Sequence, residues 1–267
     1  MAIILAVANQ KGGVGKTTTS VNLTASLAAA RRRVLLVDLD PQGNATMGSG
    51  VEKRTLKLST YDVLMGHASI AEAIVRPPEM AYDLLPANGD LTGAEVGLLE
   101  ELAREMRLKT ALETVRGDYT HVLIDCPPSL SMLTVNALVA ADAVVIPTQC
   151  EYYALEGISA LLQTIEKIRR ILNPKLTIDG FLRTMYDPRN NLATQVSQQL
   201  LQHFGDKVYR TVIPRNVRLA EAPSHGLPAL LYDKSSAGAL AYLALAGEML
   251  RRDEAAQAAA GGTGMTP

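Results

Sequence analysis

The 267-residue chain has almost no net charge, only two cysteines, and no apolar run long enough to cross a bilayer. Each shortage removes a class of function. With 26 basic and 27 acidic side chains and a formal charge of −1, a polyanion cannot be drawn in by the field of the whole molecule and has to be met by a local basic patch. Cys126 and Cys150 lie far apart and belong to no C-x-x-C pair or histidine-flanked cluster, so they read as buried, reduced thiols of a cytosolic protein. The apolar start, MAIILAVANQK, has no basic segment before it and alternates into a glycine-rich loop, which is not the pattern of a secretory signal. The later run NALVAADAVVIP is cut by Asp142. There are no internal repeats.

What is present is 48% hydrophobic residues with 20% charged, enough to bury a large core near the upper size of one domain. Short apolar runs alternate with stretches of helical period. Strands are expected at Ile3 to Ala8, Val34 to Val37, Val122 to Ile124 and Val144 to Ile146, with helices at Thr17 to Ala30, Leu133 to Ala140 and Leu155 to Leu172. Such alternation predicts an α/β fold, a mostly parallel twisted sheet with helices on both faces. Sites in such sheets lie beyond the carboxyl ends of the strands. The exits Asn9 to Gly15, Asp38 to Asn44, Asp125 to Ser129 and Pro147 to Glu151 are therefore expected around one pocket. From Thr46 to Arg116 the pattern weakens into short amphipathic pieces, TYDVLMG, SIAEAIV and AEVGLLEELAREMRLKTALETV, read as helices covering one side, with YDLLPAN as a strand. A helix near Leu192 to Phe204, a short strand at Val212-Ile213 and a last helix from Ala237 to Arg251 complete a single domain over residues 1–251. The small, polar tail, residues 252–267, is expected to fray.

The segment NQKGGVGKTT holds the chemistry. Gly12, Gly13 and Gly15 let backbone N–H groups turn inward around phosphate oxygens, with Val14 between them, and the helix starting near Lys16 points its positive end at the same place. Lys16 reaches the β- and γ-phosphates of a nucleotide, and the Thr17 hydroxyl, followed by Thr18, ligates Mg²⁺. The usual pattern has glycine where this chain has Gln10, and a second lysine stands at Lys11. Two ammonium groups in one short loop repel, and the concentrated charge of a triphosphate offsets that cost.

In VLLVDLDPQGNAT, Asp38 and Asp40 both stand at a strand's carboxyl end, where each suits a metal-linked or water-orienting carboxylate and each also suits the cap of a Pro-x-Gly turn. HVLIDCPPS ends an apolar strand at Asp125, the setting of the acidic residue that holds Mg²⁺ through water in P-loop NTPases, and its two prolines stiffen the turn.

Together KGGVGKTT, VDLDPQGNAT, IDCPPSL, QCEYYALEG and IPRNVRLAEAPSHG resemble the ParA/Soj family of chromosome- and plasmid-partitioning ATPases, of the deviant Walker A class of the P-loop NTPase fold, from about residue 2 to 251. The resemblance implies an ATPase, slow unless stimulated, using ATP and Mg²⁺. It implies catalytic roles for Lys11, Lys16, Asp40 and Asp125, with Lys11 reaching across an ATP-bound homodimer to the partner's phosphates. Nucleotide contacts fall on residues 11–18 and, at the adenine, on Pro214 and Asn216; Thr17 and Asp125 attend the metal. Arg189, Arg215 and Arg218 correspond to a basic region that binds double-stranded DNA without sequence preference. A ParB-type centromere-binding partner would trigger hydrolysis, and the protein would be cytoplasmic and nucleoid-associated.

Other members of the class make different demands. A MinD-like regulator of cell division needs an amphipathic membrane helix, and RRDEAAQAAAGGTGMTP lacks bulky apolar residues, so no membrane partner is expected. The basic stripe in ALLQTIEKIRRIL reads as a core-facing helix. An iron-protein analogue needs bridging cysteines at other positions, and a ligase of the dethiobiotin synthetase kind is disfavoured by Lys11. Since the chain starts almost at its first strand, no helix-turn-helix is expected before the P-loop, as in the short chromosomal members.

Overall fold

The computed structural model describes residues 1–152 and 154–261. Tyr153 of QCEYYALEG and residues 262–267 of the expected fraying tail lie outside the described residues. Seven strands, β1 (Ile3–Val7), β2 (Val34–Asp38), β3 (Asp83–Leu85), β4 (His121–Asp125), β5 (Ala143–Gln149), β6 (Thr177–Tyr186) and β7 (Val208–Pro214), make one sheet in the order β3-β2-β4-β1-β5-β6-β7. Every neighbouring pair is parallel. The longer helices are α1 (Lys16–Ala29), α2 (Met132–Ala140), α3 (Ala154–Ile171), α4 (Asn191–Phe204) and α5 (Ala237–Gly261).

Continuous apolar strands are buried on both faces because successive residues point to opposite sides. Ile4 and Ala6 of β1 join a core with α2, α3 and α4, while Leu5 and Val7 join a second core with α1 and α5. Each fully buried leucine or isoleucine contributes about 1.5–3 kcal/mol. The two helices of the second layer are also tied by polar contact, Thr19 Oγ1 to Tyr242 Oη at 3.1 Å.

Three elements depart from the sequence reading. The short strand expected at Val212-Ile213 begins at Val208, because β7 is the outer strand and need not be apolar on both faces. The helical stretch around residues 91–113 is broken into Leu91–Gly97, two 3₁₀ turns and Arg107–Glu113, with Ala103 at φ +51° between them. The last helix does not end at Arg251 but continues to Gly261. Its extension is alanine-rich, and alanine has the highest helix propensity. Asp253 of the extension meets His121 Nε2 at 3.3 Å and Glu254 lies 3.8 Å from Arg32.

Along β7, Glu248 of α5 is buried and accepts the backbone N–H groups of Arg210 and Thr211, each at 2.9 Å. Burial would raise this carboxyl, but the N–H donors outweigh it and hold it below the usual range. The buried Arg183 of β6 donates to the carbonyls of Tyr209 and Arg210, where the β6–β7 register shifts. Tyr209 Oη donates to Asp179, and the Arg252 guanidinium sits 4.5 Å from the Tyr209 ring centroid.

Candidate functional site

The site follows from register. Val7 of β1 pairs with Asp125 of β4, and Asp125 pairs with Asp38 of β2, so the three central strands end side by side. Beyond their ends lies a cavity of about 520 Å³ lined by Gly12, Gly13, Gly15, Lys16, Thr17, Thr18, Asp40, Pro128, Pro214, Arg215 and Asn216, with other residues that include some from β6, β7 and α5. That volume suits a nucleotide-sized ligand.

Gly13 and Gly15 adopt φ +75° and +86°, in the left-handed region open to glycine, and Gly15 caps α1. Val14 is buried and does not line the cavity; its carbonyl accepts Thr184 Oγ1 at 2.8 Å, fastening the loop to the end of β6. Lys16 is buried, with Nζ donating to the Lys11 carbonyl at 3.1 Å. Burial lowers its pKa, opposed chiefly by the charge of Asp125.

Lys11 does not line the cavity. Its Nζ meets Glu151 Oε2 at 2.5 Å. The exit Pro147 to Glu151, expected around the pocket, instead steadies the start of the P-loop: Asn9 Nδ2 donates to the Pro147 carbonyl at 2.7 Å, and none of these five residues lines the cavity. Their place is taken by Thr184 and Met185 at the end of β6. Met185 has φ +48°, a strained value for a side chain of that size.

Asp38 and Asp125 are fully buried. Asp38 Oδ2 accepts the Thr46 N–H at 2.8 Å and the Thr46 hydroxyl at 2.7 Å, which closes the loop carrying Asp40. Asp38 is therefore a turn-closing residue, one of the two readings open for it. Asp40 lines the cavity and accepts the Gln42 N–H at 2.9 Å. Burial, then the neighbouring Asp38 charge, pushes the Asp125 carboxyl well above the usual range. Its Oδ1 accepts Ser20 Oγ at 2.8 Å, while its buried Oδ2 has no hydrogen-bond partner. An orphaned carboxylate oxygen in a set of hard oxygen donors fits a divalent cation such as Mg²⁺.

At the other end of the cavity Ile213, Pro214, Leu219 and Tyr242 give apolar surface, and the buried Asn216 Oδ1 has no partner. Of the three arginines, Arg215 lines the cavity, but Arg189 and Arg218 do not. Arg189 pairs with Asp187 through both Nε and a terminal nitrogen, and Arg218 lies 2.7 Å from Glu221 and 3.3 Å from Asp233.

A family model described as an AAA domain matches residues 2–178. The sporulation initiation inhibitor protein Soj of Bacillus subtilis is 55% identical over 93% of this chain and 98% of its own length. The chromosome partitioning protein ParA of Caulobacter vibrioides is 54% identical over 96% and 97%. The chain belongs to the ParA/Soj family of chromosome-partitioning ATPases. The sheet also superimposes on a Mycobacterium smegmatis structure named cobyrinic acid a,c-diamide synthase, with bound ADP and magnesium, at TM-score 0.84 and 42% identity over 95% of this chain and 96% of that one. The two names differ, and the ParA/Soj relatives have the higher identity at similar coverage. ParA/Soj membership accounts for the deviant P-loop with Lys11 that the sequence displays.

Sequence reasoning missed Glu151, Thr184 and Met185. Glu151 stands inside QCEYYALEG, yet nothing local shows that it faces Lys11, 140 residues away. Thr184 and Met185 stand at the end of β6, a strand that the sequence reading did not place, so the strand-exit rule was not applied there.

Proposed function

We propose that this ParA/Soj ATPase is an ATP-switched DNA carrier: ATP closes a homodimer, the dimer holds nucleoid DNA without sequence preference, and hydrolysis triggered by a ParB-type partner releases it. One observation carries the reading. Of the two P-loop lysines, Lys16 lies in the cavity of its own chain, and Lys11 points away from that cavity to a glutamate. We read a cation so placed as spare for its own nucleotide and available to a partner's phosphates once Glu151 releases it.

Within one chain the backbone N–H groups of residues 12–17 cradle the phosphates and Lys16 balances their charge. Thr17 and Asp125 would hold Mg²⁺, which screens phosphate charge when bound. Asp40, fixed by the Asp38–Thr46 closure, orients water for attack. Asn216 accepts a hydrogen bond from the adenine amino group against the apolar wall of Pro214.

Each subunit would bring a small basic patch, Arg189, Arg215 and Arg218, and dimerisation doubles it. The carboxylates now pairing with Arg189 and Arg218 exchange for DNA phosphates. DNA binding measured with no nucleotide, ADP and ATP should appear with ATP alone and fall steeply with salt. Arg189→Glu or Arg218→Glu should abolish it with ATP binding intact, while neutral substitutions flatten the log–log salt slope by about 0.9 for each lost phosphate contact. Equal DNA binding in all three nucleotide states refutes the switch. The protein would then work in the cytoplasm on the nucleoid.

A further inference from the structure

The broken stretch after β3 exposes three large apolar side chains at three-residue spacing: Val96 at 70%, Leu99 at 57% and Leu102 at 90%. Such positions usually turn inward when a helix continues, but here the chain leaves the helix after Glu100 and passes through Ala103 at φ +51°. A left-handed non-glycine residue and a nearly fully exposed leucine are both unfavourable, and they adjoin. The same stretch is acidic. In a chain of net charge −1, residues 91–105 hold four glutamates and one arginine. Glu101 pairs with Arg107 and Glu105 with Arg104, but Glu95 and Glu100 have no ion pair among the described residues.

The segment that follows the patch is tied to α2. Asn136 of α2 donates to the Arg104 carbonyl at 2.9 Å and accepts the Leu108 N–H at 3.1 Å, and α2 begins just after the Asp125-to-Ser131 turn, whose Pro128 lines the nucleotide cavity.

We infer that Val96, Leu99 and Leu102, rimmed by Glu95 and Glu100, form a docking surface for a cationic, apolar segment of a partner protein. The inference rests on the partner-triggered reading above and names a face for it. Its sign of charge repels DNA and anionic lipid, which leaves a basic amphipathic peptide as the complementary occupant. The apolar centre supplies affinity and the free carboxylates select the charge of the partner.

The test uses the full chain and a fluorescent leucine–arginine peptide of about 15 residues, long enough for a marginal helix, with a leucine–glutamate peptide as control. Anisotropy should rise with the cationic peptide and not with the acidic one. Both L99S/L102S and E95K/E100K should weaken binding by roughly tenfold or more, as expected of a central contact cluster. Leu99, Leu102 and Glu100 are exposed and Glu95 is half-buried, and unchanged melting temperatures would establish that the variants are folded. Lys16→Ala should still bind the peptide, so loss of the nucleotide reading and loss of the docking face are separable. Wild-type affinity in both double variants, or equal binding of the acidic peptide, overturns the proposal. So does loss of ATP-dependent self-association in L99S/L102S, which assigns the face to a second copy of the chain.

Discussion

At the residue scale the two P-loop lysines differ in what surrounds them. Lys16 is buried in the cavity wall with its pKa lowered by desolvation, and triphosphate restores the charge balance. Lys16→Ala keeps the N–H cradle and loses that charge, so isothermal titration should show ATP binding lost or weakened at least about a hundredfold, the scale of a buried charge-assisted contact of about 3 kcal/mol. Lys11→Ala should leave ATP affinity of the single chain within a few fold, because Lys11 has no place in its own cavity. It should instead remove the ATP dimer, read by sedimentation in an Asp40→Ala background that blocks hydrolysis; a dimer as tight as that of Asp40→Ala alone refutes the trans role. The place of Lys16 and Thr17 in the cavity wall was legible in the sequence because a loop's shape is set by spacing over a few residues, whereas Lys11, expected among the nucleotide contacts, stands outside that wall. Glu151 opposite Lys11 was not legible, because that contact exists only after β1 and β5 pair.

Elements show the same division between near and far. The central strands β1, β2, β4 and β5 and the helix α1 stand where apolar runs and glycine punctuation place them, because their burial repeats along the chain. The break at residues 101–103 was not legible, since the segment has a helical period and the contacts that hold its halves apart, such as those at Asn136, are tertiary. The loop after β2 depends on a single conformational requirement. Gly43 has φ +61°, and a Cβ there would lie 2.7 Å from the Ala87 carbonyl oxygen. Gly43→Ala should therefore cost about 1–3 kcal/mol, seen as a lower urea midpoint. It should also slow phosphate release more than it weakens ATP binding, since the loop carries Asp40 and not the phosphate cradle. An unchanged midpoint would mean that the loop yields freely at that contact.

For the molecule as a whole, pH stability has an unfavourable contributor far from the nucleotide. Asp179, between Tyr209 and α5, is pushed up to about 6 by burial and then by the charge of Asp253. A carboxyl with a raised folded pKa adds stability below its unfolded value of 3.8, and that contribution is lost as pH rises through about 6. At neutral pH the ionised group is a cost. Asp179→Asn keeps an acceptor for Tyr209, so it should raise stability by about 1–2 kcal/mol at pH 7.5 and by nothing near pH 4. Urea melts at the two values decide it; an equal effect at both would place the cause in packing. The outer margin of the sheet at β7 has a different consequence. Wherever the protein reaches high local concentration, an open strand margin is a template for cross-β growth. Glu248 occupies two β7 N–H groups at the stretch where the register with β6 shifts, so neither donor is free to pair with a foreign strand, and because they lower its pKa the carboxylate stays in place as pH falls.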